Sequence, residues 1–298
     1  MVYFFVTLFL FSCLEVASKP LMGAISPMEL TYFRFAVGFM TIFVVMVLRG
    51  RLCDLRALKA REWWRLAFLG ILNICVSMTF LQKAVANAPA STAAAIFCSN
   101  PLFVYLFSLI AGDQRPRIRT AVAMAMGIAG LFLVTSAGGL SLSKGILYAL
   151  LASTSFGLYT FLSKRSLKTV SPLCLNTVAF FFGSLACAAM LLVTGGSLTV
   201  PAAIRSHLPS LANFIFLGVG VSGIGYITYM ETVERLGALT ASLVFMIKPV
   251  VAAILAMLLL GERPSLPFYP GVVLVLAGSI LLSGITERGA ARPPSRGA

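Results

Sequence analysis

Ten apolar runs divide the chain, each set off from the next by a short polar or basic stretch. They cover approximately 3–21, 28–48, 66–85, 90–111, 118–137, 145–163, 173–193, 211–229, 238–260 and 268–285. Runs of ~18 or more apolar residues have the length of a membrane-crossing helix. The pattern therefore predicts an all-α integral membrane protein with ten transmembrane helices. Nothing charged precedes Glu15 in the first run, which leads straight into further spans and reads as a retained helix rather than a cleaved leader.

The runs repeat. Phe156, Lys164, Ser171 and Pro172 follow Phe11, Lys19, Ser26 and Pro27 at a spacing of 145 positions. Thr240, Ala241, Pro249 and Pro264 follow Thr92, Ala93, Pro101 and Pro116 at 148. Five spans per copy is an odd number, so the second copy enters the membrane upside down. The expected organisation is a first five-helix repeat over 1–139, an inverted second repeat over 140–286, and a basic tail without fixed structure over 287–298. Inverted repeats place a substrate site near the midplane, on interrupted helices at the repeat interface.

Composition sharpens the membrane reading: 59% of residues are hydrophobic, 11% are charged, and mean hydropathy is +0.99. A soluble domain carries about 25% charged residues. The net charge of +14 lies in alternate loops and not in one patch, which argues against a nucleic-acid partner. Sixteen Lys and Arg fall in the segments on the side of the N-terminus, from Arg49–Arg65 to Arg296, and five in the opposite segments. Dense positive charge marks the cytoplasmic side, so both termini are expected there, in the inner membrane of the cell. The six cysteines have neither CxxC nor metal-ligand spacing, so no metal and no cofactor are expected.

Few charges lie inside the spans. Lys248 sits near the middle of the ninth, immediately before Pro249, where a cation costs roughly 2.5–3.5 kcal/mol unless it faces protein or water. Pro249 frees backbone carbonyls, and Asn100 before Pro101 is its counterpart in the first half. Both prolines are expected to break their helices. Glu15 has Lys19 one turn on, and two readings stay open for it: a mutually satisfied (i, i+4) pair, or a carboxylate facing a cavity. Arg34 keeps its charge and needs a partner. Glu15 and Glu29 are the carboxylates at its depth, and a structural pair and a substrate clamp stay equally open. Phe156 with Tyr159, and Tyr226 with Tyr229, each share a helix face, as packing or as ligand contacts. Small residues at 123, 125, 127 and 129 predict close helix packing, within the chain or at a homodimer interface.

Other motifs fail on context. The GxGxxG of Gly218, Gly220 and Gly223 lies inside an apolar span and not in a strand–turn–helix unit, and Ser141–Lys144 lacks the companions of an SxxK nucleophile. No HExxH occurs, so an enzyme is not expected.

The stretches SKPLMGAISPMELTYFRF near the front and TASLVFMIKPVVAAILAMLLLGERP near the back resemble the EamA branch of the drug/metabolite transporter superfamily. Gly261 and Glu262 match that family's terminal Gly-Glu, whereas Asp113 and Gln114 stand where the first half often repeats it. The resemblance implies a central cavity, alternating access and efflux of amino acids or other metabolites across a lipid bilayer. It carries Glu15, Asn100, Tyr159, Tyr229 and Lys248 onto the cavity wall; Arg34 would join Lys248 as a ligand if the cargo is a phosphorylated anion. The expected function is a secondary transporter of a small polar or amphipathic metabolite. A translocator of a phosphorylated or lipid-linked anion is the alternative, and a channel or membrane scaffold a second. Proton coupling through Glu15 stays open.

Overall fold

A computed structural model describes residues 2–113, 118–136 and 143–290, and their secondary structure is helical. Seven helices are long and apolar enough to cross a membrane. These are α1 (Val2–Ser18, prolonged by a 3-10 turn to Leu21), α2 (Pro27–Leu48), α3 (Ala60–Asn87), α4 (Ala90–Ile110), α6 (Lys144–Ser166), α7 (Pro172–Val193) and α8 (Leu208–Tyr229). Three further helices hold shorter apolar stretches: α5 (Ile118–Ser136), α9 (Ile247–Leu260) and α10 (Phe268–Ala290). Residues 287–290, expected in the tail, continue α10, and 291–298 lie outside the described residues.

Local chemistry fixes the helix starts. Ser26 and Glu29 form a capping box ahead of α2, with Pro27 in the first turn. Ser171 and Pro172 start α7 in the same way, the Ser171 hydroxyl accepting from the Cys174 amide. The 145-residue spacing reaches beyond these caps, because α2 and α7 begin and end at that offset. It also relates two π-helical segments, Ile71–Met78 in α3 and Phe216–Ile224 in α8, at their first residues.

Helix α2 packs on α7, α7 on α3 and α2 on α8. Around them α1 lies along the Gly225–Leu260 helix, and α6 against α3 and α4. The approaches are close. A Cβ on Gly70 would lie 2.1 Å from the Ala179 carbonyl oxygen, and one on Gly183 would lie 2.6 Å from the Gly70 oxygen. Helices α5 and α10 pack on each other at the margin, Gly278 meeting Ala123 and Gly127. The small-residue stripe of α5 is thus split. Ala123 and Gly127 are buried inside the chain, while Ala125 and Ala129 face outward.

One expectation changes. Residues from Gly225 to Leu260 are helical on both sides of the turn expected between the eighth and ninth spans. This element is nevertheless not straight. The rings of Tyr229 and Phe245 are 5.6 Å apart, whereas sixteen residues of straight helix would separate them by roughly 24 Å. The chain doubles back between them, which restores α8 and α9 as neighbours. Pro249, expected to break α9, lies inside it, since a proline can forfeit its one backbone hydrogen bond without ending the helix.

Contacts between helix ends define two faces. On one, Lys19 after α1 donates to the carbonyls of Val85 and Ala88 at 2.7 Å each, and Gly145 at the start of α6 abuts Asn87. Glu262 beyond α9 accepts from the Ala90 and Ser91 amides at 2.6 and 3.1 Å and from the Ser91 hydroxyl at 2.6 Å. Glu29 at the start of α2 meets the Ser197 amide after α7 at 2.9 Å. On the opposite, basic face, Arg49 after α2 pairs with Glu231, Asp54 meets Ser171 before α7, and Asp113 after α4 pairs with Arg165 near the end of α6.

The contact of α3 with α7 gives a direct test. Gly70→Val should abolish recovery of monodisperse protein, or lower its thermal midpoint by the equivalent of at least ~1–3 kcal/mol, as overpacking does. Ala129→Leu, on the outward face of α5, should leave both unchanged by the same size-exclusion and melting measurements.

Candidate functional site

The centre of the bundle holds an ion pair. Lys248 Nζ donates to Glu15 Oε1 at 2.6 Å, with the two side chains 1% and 0% exposed. Glu15 therefore does not pair with Lys19, as the (i, i+4) reading had it. Lys19 stands at the exit of α1, where the orphan carbonyls that end α3 are nearer. The Lys248 ammonium also lies 5.1 Å from the centroid of the Phe97 ring, a cation–π contact. Glu15 Oε2 has no hydrogen-bond partner among the described residues.

Helix α4 is interrupted beside the pair. Its first segment ends at Phe97, Cys98 and Ser99 form a turn, and helix resumes at Asn100 with Pro101 in its first turn. The break expected at Pro101 is present. Its carbonyls are occupied: Phe97 O accepts from Asn100 Nδ2 at 3.0 Å and from Ser153 Oγ at 3.2 Å, and Ile96 O from Ser99 Oγ at 2.6 Å. The Asn100 amide is thus engaged with its own helix, and Ser153 on α6 completes the interruption.

A second buried charge has no counter-ion among the described residues. Arg34 is 2% exposed, and its Nε and Nη1 have no hydrogen-bond partner among the described residues. Its guanidinium carbon lies 4.6 Å from the centroid of the Phe35 ring. Neither carboxylate expected to pair with it does so. Glu29 is held at the opposite face by Ser26 and Ser197, and Glu15 by Lys248. Close by is Tyr226, beside Asn73, which is fully buried and whose side-chain polar atoms have no hydrogen-bond partner of ordinary geometry among the described residues.

Aromatic rings join the two cations. From Phe97 they run through Phe156, Phe245, Tyr229, Phe11 and Tyr226 to Phe35, with successive centroids 5.0 to 6.1 Å apart. Tyr159 stacks on this line through Phe156 at 5.6 Å, and Phe180 through Tyr226 at 4.9 Å. Of the candidates from the sequence, Glu15, Lys248, Asn100, Pro101, Tyr159, Tyr229 and Arg34 thus lie on or beside this line, and Pro249 adjoins it through Lys248 without breaking its helix. Phe97 and Phe245, Phe35 and Phe180 were not among them. Apolar rings in apolar spans carry no signal of their own. A small cavity of about 30 Å³ on the basic face, lined by Ile42, Asn176, Tyr226 and the Arg49–Glu231 pair, ends at this cluster.

Comparison with known proteins agrees with this architecture. The model of the EamA-like transporter family matches residues 1–136 and again 143–284. An uncharacterized transporter of Clostridium kluyveri is 30% identical over 94% of this chain and 91% of its own length. A "Probable terminal-alkyne amino-acid exporter" of Streptantibioticus cattleyicolor is 25% identical over 80% of each chain. A solved crystal structure matches in fold with a TM-score of 0.67 over 97% of this chain and 98% of its own, at 22% identity.

The central pair predicts a thermodynamic cycle. Glu15→Gln or Lys248→Met singly leaves one buried charge unpaired and should destabilise by about 3–5 kcal/mol. The double variant should recover most of that loss, as read by thermal melting of purified protein.

Proposed function

The chain belongs to the EamA-like transporter family, and we propose that it is a secondary transporter exporting a small polar or amphipathic metabolite, such as an amino acid, by alternating access. The observation that carries this reading is the buried Glu15–Lys248 pair, one partner from each stretch that matches the family model. A charge pair between two halves, beside an interrupted helix and aromatic walls, is the setting in which substrate groups replace protein contacts. A relative named as an amino-acid exporter supports the substrate class.

Two inverted five-helix halves, 1–139 and 140–286, belong to the same reading. In its favour, α1 ends on the face where α6 begins, and α2 begins where α7 ends. The seven long and three shorter apolar helices are compatible with ten spans. The basic face is assigned to the cytoplasm of the cell, with both termini, on the density of Lys and Arg in its loops. Each face has its own closure in this scheme. The Arg49–Glu231 pair shuts the basic side, and Glu262 on the start of α4 shuts the other. Proton coupling would use Glu15, whose second oxygen lacks a partner among the described residues.

Cells expressing the intact chain or Lys248→Ala at matched abundance should differ in one or a few exported metabolites on untargeted comparison of medium and cell contents. The exported compound should accumulate outside only with the intact chain, and its efflux should drop at least tenfold with Glu15→Gln. Equal metabolite profiles from intact and variant cells would count against a transport pathway through the pair.

A further inference from the structure

Deepening the transporter reading, on which it rests, we infer that the transported species enters the bundle as a monoanion and that its anionic group binds Arg34, with Asn73 and Tyr226, while Lys248 remains matched to Glu15. Charge balance points there. Among the described residues the buried charged side chains are Glu15, Lys248, Arg34 and Glu231, and Glu231 is neutralised by the half-exposed Arg49, so Arg34 is the charge left over. Glu15 and Lys248 satisfy each other at 2.6 Å. The other carboxylates bordering this region are committed elsewhere, Glu231 to Arg49 and Glu29 to backbone amides on the far face. Arg34 is left as a full charge out of water with two of its nitrogens unbonded among the described residues.

The surroundings are those of an anion subsite. Asn73 is fully buried with no hydrogen-bond partner of ordinary geometry among the described residues, and it sits beside the Tyr226 hydroxyl, so an amide and a hydroxyl donor are offered in the same neighbourhood. A planar guanidinium grips a carboxylate or similar oxyanion through parallel N–H donors. The way in is marked as well. The small cavity on the basic face touches Tyr226 and is lined by Arg49 and Arg51 as well as Glu231, so an anion on that side would meet two cations for one carboxylate. The ring line from Phe35 to Phe97 would hold the apolar remainder of the molecule. A monoanion brings the interior to neutrality. A zwitterion leaves it with one positive charge and a cation with two.

Three compounds that share one side chain separate these cases: N-acetyl-leucine (net −1), leucine (net 0) and leucine methyl ester (net +1). Thermal melting of the purified full chain with each, at equal concentration, should show the largest rise with N-acetyl-leucine and little or none with the ester. Arg34→Gln should weaken the N-acetyl-leucine effect at least tenfold in concentration, and Arg34→Lys should retain part of it. If Arg34→Gln yields no folded protein, the charge ranking on the intact chain and the Arg34→Lys shift decide the matter. Leucine or its ester stabilising as well as the anion, an anion effect undiminished in the Arg34 variants, or no shift with any of the three would overturn the inference. Efflux of a zwitterion unaffected by Arg34→Lys would also overturn it and leave the transporter reading intact. That reading fails separately, if no metabolite is moved.

Discussion

The structure turns on keeping Glu15, Lys248 and Arg34 inside an apolar bundle. Each charge taken from water costs several kcal/mol that only close partners return. Glu15 and Lys248 find each other across 233 positions of sequence, which ties α1 to α9. The pair also explains why the interruption of α4 sits where it does. Phe97, the last residue before the turn, places its ring under the ammonium, while its carbonyl is served by Asn100 and Ser153. The same residues thus manage a buried charge and a broken helix.

Much of this was legible in the residues themselves, and the remainder fails for identifiable reasons. The apolar runs and the Ser-Pro starts locate most helices to within a few residues, because hydrophobicity and capping act locally. Lys248, Glu15 and Arg34 announce themselves as charges where charge is costly. Their partners do not. Sequence proximity suggested Lys19 for Glu15, since an (i, i+4) neighbour is visible in a sequence and a neighbour 233 residues away is not. Pro249 misled because proline reports the loss of one backbone donor, and whether a helix survives that loss depends on what packs around it. The rings of Phe97 and Phe245 were invisible in principle, since a phenylalanine facing lipid and one facing a charge read alike.

The two faces are held by different chemistry. On the basic face, side chain joins side chain, Arg49 to Glu231 and Asp113 to Arg165, and all of these groups but the buried Glu231 are about half exposed and open to screening. On the other face, Lys19 grips carbonyls that end α3 and Glu262 grips amides that begin α4, so the two charges seize the hairpin from opposite helix poles. Favourable dipole contacts of this kind need no partner side chain. One closure responds to ionic conditions more readily than the other.

The matched π segments carry a message about history. A π turn accommodates one more residue than the α turn it replaces, so its appearance in one half of the chain would throw the numbering of that half out of step with the other. Both halves carry such a segment, and they keep step as far as its start. The spacing of 145 holds from Phe11 and Phe156, through the whole of α2 and α7, to the first residues of both π segments. On the two-copy reading, the widened turn was already present in the single five-helix ancestor. It was inherited twice at the duplication and was not invented afterwards by either descendant half.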